Sequence, residues 1–154
     1  MPRFFKQNFE QEPFIDGADA KHIARSLRMR VGEKLVVSDS KGTDYNCQIS
    51  ALTDDRVALD ILEKTPCQSE PDITVTLCTC LLKGDKFESV IRHSVELGVG
   101  EILPLISTNC VSRPDAKSLK SKGERWQKIA NGAAGRCARG ILPMVLEATD
   151  ITDL

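Results

Sequence analysis

A chain of 154 residues, 41% hydrophobic and 28% charged, has enough apolar material for one domain or two small ones. No apolar run is long enough to span a bilayer, and Met1-Pro2-Arg3-Phe4-Phe5-Lys6 lacks the apolar stretch of a signal peptide, so a membrane or secreted protein is set aside and a cytoplasmic one expected. The net charge of −1 hides an asymmetry: Ser112 to Gly140 holds eight cations against Asp115 and Glu124, while Ser50 to Asp72 holds six acids against Arg56 and Lys64. Such a distribution suits one face meant for a polyanion.

Residues 1–68 read as a small β-rich domain with one helix. Arg3 to Lys6 suits a first strand. Asp16 to Met29 predicts a helix, with Ala18, His22, Ile23 and Leu27 at helical spacing and His22 packed between helix and barrel. After a turn at Val31-Gly32-Glu33, strands are predicted over Lys34–Ser38, Thr43–Ser50 and Arg56–Lys64, with a hairpin turn at Ser40-Lys41-Gly42. Strands at this spacing predict a small antiparallel barrel. Thr65 to Asp72 contains Pro66 and Pro71 and no apolar periodicity, which places a linker at 69–72.

The hydrophobic period changes at residue 73, where a second domain, 73–154, is predicted. Ile73 to Leu82 is apolar and β-branched, as in a strand buried on both faces of a parallel sheet. Lys83-Gly84-Asp85-Lys86 turns the chain into a helix over Asp85–Leu97, with Phe87, Val90, Ile91 and Ser94 inward and Gly98 as a left-handed stop. Glu101 to Ile106 is a second strand and Ser107 to Ser118 a polar loop. A helix from about Ser121 to Arg139 turns Trp126, Ile129, Ala130, Ala133 and Cys137 inward, and Leu142 to Leu146 suits a third strand. A β-α-β-α-β run is half of an open α/β domain, so the chain reads as cut off at Leu154. In such sheets ligands bind outside the carboxyl ends of the strands, where the Lys83–Lys86 turn falls.

Six cysteines show no Cys-x-x-Cys spacing and no clustered histidine, so reduced, mostly buried thiols are expected rather than a metal or disulfides. No phosphate-binding loop, metalloprotease helix or nucleophile elbow is present, and no catalytic residue is assignable. What remains are cations near expected loop ends: Arg3, Arg25, Arg28, Lys83, Lys86, Arg113 and Arg139. These suit phosphate contacts, which supply most of the salt-sensitive affinity for RNA. Arg25 and Arg28, three apart on a helix, would share one face, and Glu96 would pair with Arg92 or His93 across a turn.

Five segments together resemble the ribosomal RNA small subunit methyltransferase E family. They are Met1-Pro2-Arg3-Phe4-Phe5; His22-Ile23-Ala24-Arg25-Ser26-Leu27-Arg28 followed by Gly32; Lys83-Gly84-Asp85-Lys86; Glu96-Leu97-Gly98-Val99 with Ile102 and Pro104; and Arg125-Trp126-Gln127-Lys128-Ile129 leading to Ala133-Ala134, Arg139 and Pro143. The resemblance implies an α+β and α/β chain. A PUA-like β-barrel that binds RNA precedes the first half of a SPOUT domain, whose trefoil knot is absent from this chain. It implies transfer of a methyl group from S-adenosyl-L-methionine to N3 of one uridine in 16S rRNA of the small ribosomal subunit. No metal is implied, and the cofactor site is expected beyond Leu154, so the isolated chain is expected to be inactive. The family's homodimer forms largely through the knot, so the resemblance does not extend it to this chain. Gly135-Arg136 stands where the family commonly has Glu-Gln. A binding-only RNA module is the alternative reading.

The chemistry the resemblance implies is demanding. Uridine N3 is a poor nucleophile until it loses its proton, so the base must be splayed out, N3 aligned with the methyl group, and charge on O2 and O4 stabilised.

Overall fold

The computed structural model describes residues 1–154, which form two compact units, Met1–Glu70 and Pro71–Leu154. The first is built on a five-stranded sheet of order β1-β3-β4-β5-β2. Its strands are β1 (Arg3–Phe5), β2 (Phe14–Asp16), β3 (Lys34–Ser38), β4 (Thr43–Leu52) and β5 (Arg56–Pro66). β1 runs parallel to β3 and every other neighbouring pair is antiparallel. Period-two alternation sends Leu35, Val37, Tyr45, Cys47, Ile49, Val57 and Leu59 into one core with Phe4, Phe9, Ile15 and Ile23.

The expected antiparallel barrel is replaced by a curled, mixed sheet whose end strands share no ladder. Lys6 joins the two ends instead. Its ammonium donates to the Phe14 carbonyl at 2.9 Å and lies 3.3 Å from the centroid of the Phe14 ring. β2, which sequence patterning misses, follows Pro13 and spans three residues, too few for alternation to show. β5 also runs through Thr65 and Pro66, where patterning expects irregular chain.

The helix expected over 16–29 is shorter and changes pitch. α1 covers Gly17–Lys21, and a π-helical turn follows over His22–Ser26. The Leu27 N–H reaches back five residues to the His22 carbonyl at 2.9 Å. The wider turn rotates Leu27 into solvent and lets Met29 bury. Ala20 and Ile23 are buried, whereas Ala18 and His22 are exposed. His22 therefore does not pack inside, although its ring meets Phe4 edge-on at 6.3 Å.

Cys47 is fully buried in this core, and burial pushes its thiol up to about 12. The unfolded chain ionises this thiol near pH 9 while the folded chain keeps its proton. Stability is therefore fully present below about pH 9 and falls as pH rises toward 12, by up to about 1.4 kcal/mol per pH unit. Urea unfolding between pH 8 and 10.5 is expected to show this alkaline loss, and Cys47→Ala is expected to flatten it. An identical slope in the variant contradicts the assignment.

The second unit carries a parallel sheet with β7 (Glu101–Ile106) at its centre. β6 (Thr76–Cys80) pairs with it on one side. β8 (Met144–Val145) and β9 (Thr149–Asp150) pair on the other, one toward each end. The register opposes Leu77 to Ile102 and Thr79 to Pro104, so these four share one face, where Ile102 and Pro104 are fully buried. Thr76, Cys78, Leu103 and Met144 lie on the other face, where Thr76, Cys78 and Met144 are exposed. This corrects the strand expected to be buried on both faces. β6 is an edge strand with one open face, and Ile73 and Val75, before its ladder, are 69% and 41% exposed. The thiols are likewise less buried than expected: all six cysteines are free, and only Cys47 and Cys110 are buried.

Two helices complete the unit, α2 (Lys86–Glu96) and α3 (Ala116–Arg136). α2 buries Phe87, Ile91, Ser94 and Val95, and stops at Gly98, which adopts φ +97°. α3 starts five residues earlier than its apolar stripe suggests, because the Asp115 carboxylate caps it by accepting from the Ser118 N–H at 2.8 Å. It buries Trp126, Ala130, Ala133 and Ala134, and Trp126 meets Phe87 of α2 with ring centroids 4.7 Å apart. Gln127 ties the following chain to α3: it donates to the Pro143 carbonyl and accepts from the Val145 N–H, both at 2.8 Å. No helix is long and apolar enough to cross a membrane.

Candidate nucleic-acid interface

At the carboxyl end of β6 the chain turns through Lys83-Gly84-Asp85, with Gly84 at φ +66°, before entering α2. This end holds a small depression of about 100 Å³ lined by Leu81, Gly84, Phe87, Glu88, Ser112 and the cations Lys122 and Arg125 of α3, among others. Its floor is the Phe87–Trp126 pair. Glu88 projects from α2 with its side chain 12% exposed and accepts from the Arg125 guanidinium at 2.8 Å, with Arg92 at 4.0 Å. Glu88, not Glu96, is thus the partner of Arg92. One cation of the pair stays available to solvent, since the Arg125 side chain remains 64% exposed.

Lys83 and Lys86 are exposed on the turn that rims this depression. Arg113 is exposed on the loop after β7 and donates to the Thr108 carbonyl of the same loop. That loop is also pinned by Cys110, which accepts from the Ser107 N–H at 3.4 Å. The Ser107 hydroxyl, with that N–H, holds the Cys110 thiol below its ordinary value. The structure therefore brings the Lys83–Lys86 turn together with Lys122 and Arg125. The sequence pattern does not single these two out, although both lie in the cationic run from Ser112 to Gly140.

Arg139 does not belong to an exposed surface. It follows Ala138, which takes φ +60°, and is only 4% exposed. Its guanidinium donates to the Val95 carbonyl at 3.1 Å and the Val99 carbonyl at 3.0 Å. A cation in this position is a second donor to the Val95 carbonyl, which the Gly98 N–H also meets at 3.0 Å, and it faces the negative end of the helix dipole. Burial removes Arg139 from the RNA contacts expected of it.

In the first unit, Arg3 forms a bidentate pair with Asp44 at 2.6 and 2.7 Å, the side chains being 9% and 12% exposed. Arg25 is exposed and pairs with Asp54 at 2.5 Å, which holds that carboxyl below its usual range. Arg28 lies beyond the π-turn at φ +53°, so it does not share a helix face with Arg25. The four-residue stretch from Arg25 to Arg28 nonetheless presents two exposed guanidinium groups.

On the opposite side of α3 a cleft of about 500 Å³ lies against the segment Val145–Ala148, with Leu119, Lys120, Glu124 and Trp126 in its wall. The backbone here is already engaged. The Val145 N–H is held by Gln127, and the Leu146 N–H donates to the Ile102 carbonyl at 2.9 Å.

The second unit is thus a parallel α/β unit with Lys83, Lys86, Arg113, Lys122 and Arg125 toward the carboxyl ends of its strands, and the first is a curled β-unit. Residues 69–154 match the family described as RNA methyltransferase domain, and residues 15–62 match the RNA methyltransferase PUA domain. The chain is 32% identical over its whole length to the ribosomal RNA small subunit methyltransferase E of Bacillus subtilis, spanning 62% of that protein. It is 32% identical over 91% of its length to the protein of the same name from Synechocystis, spanning 44% of it. The structure of the corresponding Neisseria gonorrhoeae protein, bound to S-adenosyl methionine, superposes with a TM-score of 0.85 at 29% identity, covering 96% of this chain and 62% of that one. The chain belongs to the ribosomal RNA small subunit methyltransferase E family, and it spans about three fifths of the length of the Bacillus relative.

Proposed function

We propose that these residues are the rRNA-recognising portion of a cytoplasmic enzyme that transfers a methyl group from S-adenosylmethionine to N3 of a uridine in 16S rRNA. The observation that carries the reading is the match along the entire chain to a small-subunit rRNA methyltransferase. In this reading the first unit is a PUA-like RNA-binding element and the second is the opening half of a trefoil-knot domain. Lys83, Lys86 and Arg113, joined by Lys122 and Arg125, hold backbone phosphates at the carboxyl end of the sheet. Arg25 and Arg28 do so on the first unit. Arg3, in the Met1–Phe5 motif, is held by Asp44 and keeps the β1 edge in place.

The residues present do not fit the methyl donor. An adenine edge and an amino-acid group need free backbone donors and acceptors. The large cleft on α3 offers a helix wall and a segment whose Val145 and Leu146 N–H groups are spent, with Lys120, Glu124 and Glu147 as its charged wall residues. We therefore place the donor loops outside these 154 residues. What this chain supplies is orientation: fixed cations that position rRNA at the open end of the parallel sheet.

Nucleoside analysis of 16S rRNA from cells in which the gene is disrupted is the direct test. Loss of one 3-methyluridine per rRNA, restored by the gene, is expected. An unchanged 3-methyluridine content overturns the assignment of the reaction.

A further inference from the structure

The exposed side of α3 carries a row of residues that packing does not explain. Lys117, Ser121, Arg125, Lys128, Gly132 and Arg136 follow one another at intervals of four, four, three, four and four, and all six are exposed. Positions so spaced lie on one face of a helix. The row occupies an arc of about 100° around the helix and spans roughly 29 Å at 1.5 Å per residue. Four of its members are cations. Lys117, Lys128 and Arg136 form no ion pair, and Arg125 keeps much of its side chain in solvent beside Glu88. Glu124 is the one acid exposed along α3, and it lies off this row on the cleft side.

We infer that this row is a second rRNA contact, a rod that tracks the sugar–phosphate backbone of a folded rRNA segment without reading its bases. Three features point to a phosphate backbone. The row holds no apolar side chain, so it offers nothing to a membrane interior or to an apolar groove on a protein. Ser121 and Gly132 each lie between two of the cations, and small residues between charges let a backbone come close. A Cβ at Gly132 would meet only the Arg136 guanidinium, at 3.9 Å, so the row is open above it. Its cations are spaced singly along the helix, which suits contact with successive phosphates rather than base readout. The inference rests on the rRNA reading proposed above and extends it from the sheet end along the whole helix.

The test uses the full 154-residue chain and in vitro transcribed 16S rRNA, with affinity measured over a series of salt concentrations. Each phosphate contact contributes about 0.7–0.9 to the slope of log affinity against log salt. The triple variant Lys117→Ala/Lys128→Ala/Arg136→Ala is expected to lose about two units of that slope, while Lys120→Ala, on the cleft side of the same helix, keeps the parent slope. All four positions are exposed and alanine favours helix, so far-UV circular dichroism is expected to match the parent. A triple variant with the parent slope overturns the row while leaving rRNA recognition standing. Absence of rRNA binding by the parent chain at low salt overturns both.

Discussion

Replacing Arg139 with alanine is expected to cost about 3 kcal/mol or more of the second unit's stability, the largest single effect among its charged residues. The guanidinium is buried and donates to the carbonyls of Val95 and Val99. Each hydrogen bond from a charged group contributes about 1.5–3 kcal/mol; the Val95 carbonyl keeps the Gly98 N–H, while the Val99 carbonyl loses the guanidinium. The two carbonyls lie at the end of α2, where the chain turns through Gly98 toward β7, so the loss also loosens the approach to the central strand. A loss of about 3 kcal/mol lowers the melting temperature by roughly 6–12 °C in a chain of this size. Both bonds leave from Nη1, and Arg139→Lys is expected to recover only part, because an ammonium is more strongly hydrated than a guanidinium and costs more to bury. Thermal unfolding of the two variants checks this. Arg139→Lys at full parent stability with Arg139→Ala losing less than about 1 kcal/mol contradicts the capping role.

The second large effect lies in the first unit. Arg3→Ala leaves the Asp44 carboxylate, 12% exposed, without the guanidinium it meets at 2.6 and 2.7 Å. Breaking such a pair costs about 3–5 kcal/mol, whereas replacing both partners with apolar residues of similar size is close to neutral. Urea unfolding of Arg3→Met, Asp44→Leu and the double variant forms a cycle that isolates the pair. Each single substitution is expected to be strongly destabilising and the double one to recover most of the loss. Additive losses would show that the two residues stabilise the β1 edge independently.

Much of the architecture is legible in the residue pattern because its signals are local. Gly98 after an apolar helical stripe, the hairpin at Ser40–Gly42 and the Trp126 stripe each depend on a few neighbouring positions. The misses come from non-local causes. Nothing in Ile73–Leu82 shows that one face of β6 is uncovered, because that depends on what packs above Cys78 and Met144. β2 exists only because β5 offers Ala58, Val57 and Arg56 as partners. The π-turn at His22–Ser26 shifts the helical period by one residue, so Met29 buries where Leu27 was expected. At the candidate interface the cations are visible as a run, but their division is not. Arg139 turns inward to carbonyls, Arg125 toward Glu88, and Lys117, Lys128 and Arg136 outward. A formal charge in a sequence does not say which helix end or carboxylate awaits it.

In the proposed function, rRNA recognition is carried by these residues and donor binding lies outside them. One measurement tests that separation directly. The 154-residue chain is incubated at low salt with unmethylated 16S rRNA and S-adenosylmethionine carrying a tritiated methyl group, and retained RNA and incorporated methyl are read from the same reaction. Saturable, salt-sensitive rRNA binding with no methyl incorporation is the predicted result. Incorporation approaching one methyl group per rRNA, or no rRNA binding at any salt concentration, would contradict it.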